Sequence, residues 1–142
     1  MRATVADTSA LIALYDRSEP EHRACRAAVA AASHLVISPL VLAEFDYLLT
    51  SRRGPEAAWK ALAHIRDRTA VRRYAVPEIE AHLSTALQVM HRYPQIGLTD
   101  AMNVTLAAVY TTDEVATLDR KHMRAVRPLT GHPAFRLLPD DL

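Results

Sequence analysis

Cysteine is almost absent from this chain. Cys25 is the only one in 142 residues, which excludes a disulfide framework and a thiolate metal site and fits a reducing cytoplasm. Lysine is nearly as scarce. Lys60 and Lys121 are the only two, so the remainder of the 17 basic residues are arginines. Guanidinium groups take phosphate through a planar fork of donors, although an arginine excess is also what a GC-rich genome writes. No apolar run nears the roughly 20 residues needed to cross a bilayer. The N-terminus enters strand-like sequence without a basic region, apolar core and cleavage site. A soluble, cytoplasmic protein with no membrane partner is therefore expected. No repeat recurs at a fixed period and no low-complexity linker interrupts the chain. The formal net charge of +1 argues against a nucleic-acid binder that works by bulk basic charge, and no set of stacking aromatics marks a single-strand recognition module. Seven histidines are present, but none form a two-His ligand spacing tied to an acidic motif. They read as surface or core residues, and only His122, beside Asp119, has a possible place near a substrate.

What is present is an ordinary globular composition, 50% apolar and 23% charged, in a length suited to one domain across residues 1–142. Short strand candidates alternate with helices. Strands are expected at Arg2–Ala6, Leu35–Ile37, Ala70–Val76, Val115–Leu118 and Phe135–Leu138, with Arg72 and Arg73 marking the third as an edge. Helices are expected at ALIALY, capped by Thr8 and Ser9, and over Glu19–Ala32. A third is expected from Pro39 to near Gly54, capped by Ser38, and a fourth over Pro55–Arg68. Others are expected from Pro77 to about Tyr93, over Thr99–Tyr110 with Thr99 as a cap, and over Arg120–Val126. Such alternation implies a parallel sheet covered on both faces. Ligands of such sheets bind at the carboxyl ends of the strands, near a reversal of strand order.

Four acidic residues sit where this pattern leaves strands or opens helices: Asp7 in VADTSALIAL, Glu44 in SPLVLAEFDYLL, Asp100 in GLTDAMNVTLAA and Asp119 in VATLDRKHM. Each lies beside apolar sequence, where a carboxylate is costly to desolvate unless a partner such as a divalent cation compensates it. Taken singly, Asp7, Asp100 and Asp119 each have a structural explanation as acids favoured at helix N-termini; Glu44, mid-helix, lacks that explanation, and its bland alternative is a solvated helix face. Taken together, they would form a magnesium site suited to cutting phosphodiesters. Clustered carboxylates would bind protons at raised pKa without metal and titrate as a coupled set. Thr8, Ser9 and Thr117 are candidates for donors that fix the carboxylates, or for caps. Arg17, Arg52, Arg53, Arg120, Lys121 and Arg124 lie near these segments as candidate phosphate contacts, or as a solvated face.

In order and approximate spacing, VADTSALIALYD, SPLVLAEFDYLL, IGLTDAMNVTLAA and VATLDRKHM resemble the four acidic motifs of PIN-domain proteins, and within these the VapC-type toxins of toxin–antitoxin pairs. The resemblance runs from Thr4 to about Arg124, and the TLD triplet Thr117–Asp119 is a specific match in context. Around the third acid such chains vary, so Thr99 and Asn103 are given no role beyond capping and support. The resemblance implies a three-layer α/β/α sandwich with a mostly parallel central sheet. It also implies an endoribonuclease dependent on magnesium, with manganese able to substitute, whose Asp7, Glu44, Asp100 and Asp119 are catalytic and metal-binding. Asp7 and Asp100 are the first choices as direct ligands, and Glu44 and Asp119 complete the set, partly through water. Water attack would leave a 5′-phosphate. An RNA substrate, a cognate VapB-type antitoxin lying across the site and a homodimer are implied as partners.

Other acid-bearing α/β families fit less well. A receiver domain would show paired acids after its first strand and a late lysine, and a haloacid-dehalogenase-like phosphatase an Asp where Ser9 stands. A PIN-like binding or regulatory protein without turnover is the alternative of a different class, to be separated by metal-dependent RNA cleavage.

Overall fold

Strand β1 (Ala3–Ala6) is buried at every residue, as expected of a strand with neighbours on both sides and helices on both faces. The computed structural model describes residues 2–142. Among these, β1 pairs in parallel with β2 (His34–Ile37) on one side and with β4 (Glu114–Ala116) on the other. β3 (Tyr74–Ala75) and β5 (Arg136–Leu138) form the two edges, giving the all-parallel order β3-β2-β1-β4-β5. The strand order reverses between β1 and β4, so the residues that follow these two strands flank the switch point.

Period-two alternation divides the core. Val5, Val36, Val115 and Leu137 face Ala86 and Val89 of α5 (Leu83–Arg92) and Met102 and Leu106 of α6 (Leu98–Val109). Leu35, Ile37 and Tyr74 face the opposite layer. There they meet Leu11 and Ile12 of α1 (Thr8–Tyr15), Phe45 and Leu49 of α3 (Pro39–Arg53), and Ile65 of α4 (Pro55–Ala70). α2 (His22–Ala31) joins this layer through Cys25 against Ala10 and Ala13. The result is the expected α/β/α sandwich.

Several boundaries differ from expectation, for local reasons. α4 continues to Ala70 and Arg72 adopts φ 61°, so the third strand shortens to Tyr74–Ala75, though at the expected edge. The segment after Pro77 enters a 3-10 turn only at Glu80–His82, before α5. Pro20 lies in a turn ahead of α2 rather than in its first turn. Ser38 caps α3 as expected, its hydroxyl accepting the Leu40 N–H at 3.2 Å. Thr8 and Thr99 do not cap: the N-cap positions of α1 and α6 fall to Asp7 and Gly97. Gly54, at φ +89°, ends α3 in a conformation open to glycine and leads directly into Pro55.

Candidate functional site

Two buried carboxylates of the sheet have opposite surroundings. Glu114, at the amino end of β4, is 2% exposed and paired with Arg2 and Arg136, with the Thr4 hydroxyl donating at 2.9 Å. It is a compensated structural charge. Asp7, at the carboxyl end of β1, is 7% exposed and has no cationic partner among the described residues. Its backbone N–H extends the ladder to Ala116 O at 2.9 Å, and its carbonyl accepts from Leu11 N as α1 begins. The side chain makes no capping bond. It is instead held by hydroxyls.

Thr117 Oγ1 donates to Asp7 Oδ2 at 2.8 Å, and Ser9 Oγ lies 3.5 Å from the same oxygen. Each hydroxyl also accepts a backbone N–H: Leu118 N on Ser9 at 2.9 Å and Asp119 N on Thr117 at 3.0 Å. With its acceptor side occupied, the Thr117 hydroxyl directs its one hydrogen at Asp7. Asn103, 1% exposed, brings Nδ2 to 3.5 Å from Asp7 Oδ1 and leaves its own Oδ1 without a partner. Two of the three expected hydroxyl donors thus reach Asp7. The third does not, since Thr8 Oγ1 is buried without any hydrogen bond among the described residues.

Asp100 projects from the first turn of α6 and Asp119 stands at the N-cap of α7 (Arg120–Arg124). Ligand atoms of Asp100, Asp119 and His122 lie within 4.8 Å of one another. His122 Nδ1 contacts Asp119 Oδ2 at 3.0 Å. Asp7 and Glu44 are outside that tight trio but line the same cavity, of about 530 Å³, with Asp100 and Asp119. Glu44 is exposed on α3. All four acidic residues therefore converge on one cavity at the switch point, and His122 joins them more closely than its sequence position suggested. The signal available for it was the three-residue spacing from Asp119 across the start of a helix.

The electrostatics follow from this crowding. Burial raises the Asp7 carboxyl above its ordinary range against the Thr117 and Thr8 hydrogen bonds, and the charges of Asp119 and Glu44 add to the rise. Asp100 is pushed up to about 6, by burial first and then by Asp7 and Asp119. Arg52, the one arginine lining the cavity, is paired with Glu19. Near its rim, Asp16 accepts from Arg53 Nη2 at 2.8 Å and from Ser18 Oγ at 2.7 Å, tying the end of α1 to the end of α3. Those bonds, Arg53 foremost, hold its carboxyl down at about 2. Arg124 forks onto Asp141 with two bonds of 2.7 Å, and Arg120 approaches Asp140 at 3.4 Å. Four of the six cations suggested as phosphate contacts are thus engaged by carboxylates. An all-oxygen acidic set, mutually repelling and bordered by two unpartnered buried oxygens, is suited to a hard divalent cation and to no anion.

The chain matches a family model described as the PIN domain over residues 4–128. It is 38% identical over 138 residues to Ribonuclease VapC26 of Mycobacterium tuberculosis (strain ATCC 25618 / H37Rv), covering 95% of this chain and 99% of that protein. Among solved structures it superposes on M. tuberculosis VapC20, described as a sarcin-ricin loop cleaving toxin. That match has a TM-score of 0.73 and 24% identity, covering 86% of this chain and 94% of the other. It also superposes on VapBC2 from Rickettsia felis bound to a promoter DNA fragment, with a TM-score of 0.65 and 16% identity over 89% and 95% of the two chains. A toxin–antitoxin complex from Klebsiella pneumoniae gives a TM-score of 0.62 and 18% identity over 88% and 93%. At these identities the solved structures establish the fold.

Proposed function

Since this chain belongs to the PIN domain family, we propose that it is a metal-dependent endoribonuclease and the toxin of a type II toxin–antitoxin pair, built as a single nuclease domain over residues 1–142. The observation that carries this is Asp7, a buried carboxylate with no cationic partner among the described residues, lining one cavity with Asp100 and Asp119 at the switch point. A charge left so exposed to repulsion is costly unless a ligand offsets it. Asp100 and Asp119 would hold a magnesium or manganese ion with Asp7, and Glu44 would complete the acidic set from α3. When bound, such an ion supplies a nucleophile from water near neutral pH and offsets charge on the phosphate oxygens.

The chain's own residues position that chemistry. Thr117 and Ser9 fix the rotamer of Asp7 through donors that are themselves held by backbone N–H groups. His122 orients Asp119. Water attack leaves a 5′-phosphate and a 3′-hydroxyl. The 38% identical relative is named a ribonuclease and two structural neighbours are toxin–antitoxin assemblies, which supports an RNA substrate and a VapB-type antitoxin here. A homodimer is the assembly in this proposal, and the cytoplasm, where RNA is met, is its compartment. No helix among the described residues is long and apolar enough to cross a membrane.

The deciding experiment incubates the purified chain, free of antitoxin, with bacterial RNA and magnesium, and sequences the new ends. Discrete cuts bearing 5′-phosphate and lost in EDTA are expected. Intact RNA in the presence of folded, metal-supplied protein would point to a binding protein without turnover. Thr117 gives a finer prediction. Thr117→Val removes both the donor to Asp7 and the acceptor for Asp119 N–H, and slows cleavage by about 10–100-fold, the usual scale for a group that supports a metal ligand. Thr117→Ser restores most of the rate. Equal rates for the valine variant and wild type would remove Thr117 from the positioning network.

A further inference from the structure

The acidic cavity has a shortcoming as a place to hold RNA. Its one arginine is already paired with Glu19, and His122 with Asp119, so little there attracts a polyanion. At the other end of α1 lies a second cavity with the opposite character. Thr8, Ser9 and Ile12 border the acidic cavity, whereas Leu14 and Tyr15 border this one. Eight helical residues rise about 12 Å, so the two lie on opposite ends of the same helix.

This second cavity has a volume of about 410 Å³ and is lined by Arg26, Arg68, Arg73, Tyr15, His64 and Tyr74 on its polar side. No carboxylate lines it, and among the described residues none of the three arginines makes an ion pair. Most arginines around the acidic cavity, by contrast, are neutralised by a neighbour. Among the described residues, Arg68 Nε is buried without a hydrogen-bond partner. Tyr15 Oη lies 2.7 Å from His64 Nδ1, and the His64 and Tyr74 rings meet edge-on with centroids 6.5 Å apart, which links three of the lining side chains to one another. Three like charges in one concavity repel one another and leave an orphaned donor; an anion with several acceptor oxygens resolves both.

We propose that this arginine-lined cavity binds phosphate groups of the RNA strand away from the cut, anchoring a substrate that the acidic cavity alone would repel. The inference rests on the ribonuclease function proposed above. A strand delivers one charge per nucleotide, so successive phosphates can engage three guanidiniums, whereas a lone peptide carboxylate would leave most of that charge uncompensated.

The test measures binding of a fluorescently labelled mixed-sequence single-stranded RNA to the full chain by anisotropy, in EDTA so that the RNA stays intact. The triple variant Arg26→Gln/Arg68→Gln/Arg73→Gln is expected to raise Kd at least tenfold. Its salt dependence should become shallower by about two units of log K per log salt, as expected for losing three single-strand phosphate contacts. Arg92→Gln, on α5 against the other sheet face, should leave both unchanged. Should the triple variant fold poorly, Arg26→Glu/Arg73→Glu, which alters exposed residues only, is expected to give at least a tenfold loss. In magnesium, wild type should cleave and the variant should show raised KM with kcat kept. If wild type cleaves but the folded variants bind RNA as tightly as it does, this inference is overturned while the ribonuclease function stands. If RNA affinity is unchanged but affinity for a poly-glutamate peptide is lost, the cavity is a peptide site and the proposal is again overturned. If wild type binds RNA through these arginines and never cuts it, the ribonuclease function falls, and the cavity is an RNA-binding site rather than a substrate anchor.

Discussion

Asp7→Asn and Asp100→Asn each slow RNA cleavage by at least about a hundredfold, the scale on which removal of one preorganised electrostatic contact is felt, while the protein remains folded. At Asp7 the substitution has two effects of opposite sign. The amide keeps the shape of the carboxylate, and its oxygen can still accept the Thr117 hydroxyl. Its amino group can meet the unpartnered Asn103 Oδ1 once the Asn103 amide turns over. What it loses is a charge that burial and the neighbouring acids disfavour. Metal-free Asp7→Asn protein should therefore melt at or above the wild-type temperature while cutting far more slowly. A residue conserving only fold would show no such opposition. Wild-type cleavage rates from folded, wild-type-free Asp7→Asn protein would defeat the metal-site assignment.

Without divalent cations, stability should fall as pH rises from about 4 to about 6. The Asp100 carboxyl titrates at about 6 in the fold, above its ordinary 3.8. Between those values the folded chain binds more protons than the unfolded one, so unfolding becomes easier as pH rises. A separation of about 2 pH units corresponds to at most about 3 kcal/mol, less to the extent that solvent screens a half-buried group. Asp7 acts in the same direction. Asp16 and Asp141 act in the other: both are held at about 2 by arginines. The stability they contribute is present above pH 4 and lost as pH drops toward 2. Denaturant melts in EDTA should thus show greatest stability near pH 4 to 5. Magnesium at a hundred times its dissociation constant should add about 2.7 kcal/mol at neutral pH and flatten the slope between pH 4 and 6. A slope unchanged by magnesium, or by Asp100→Asn, would remove Asp100 from the ion's site.

Much of the architecture was legible because its causes are local. Ser38 followed by Pro39 marks a helix start from its own chemistry, and Gly54 followed by Pro55 marks a stop and a restart. The pair Arg72 and Arg73 indicated an edge strand because charge at an inner strand would have no water to face. The caps at Thr8 and Thr99 were misplaced because hydroxyl chemistry does not reveal which residue takes the extended backbone of an N-cap. The third strand is shorter than its sequence suggests because Ala70 and Val71 suit a helix end as well as a strand. No local pattern marks Glu114, since only the fold brings Arg2 and Arg136 to it.

The sequence alone determined an alternating α/β chain with three carboxylates at element boundaries and a fourth, Glu44, within a helix, because periodicity and capping act over a few residues. Only the tertiary structure decided what those carboxylates are to one another. The order β3-β2-β1-β4-β5 brings Asp7 and Asp119, more than a hundred residues apart, to adjacent strand ends, and the packing of α6 on the sheet carries Asp100 and Asn103 to the same place. His122 enters the group, and Arg26, Arg68 and Arg73 meet at the far end of α1, for the same reason. Such proximity depends on strand pairing and helix packing across the whole chain, and no window of neighbouring residues contains it.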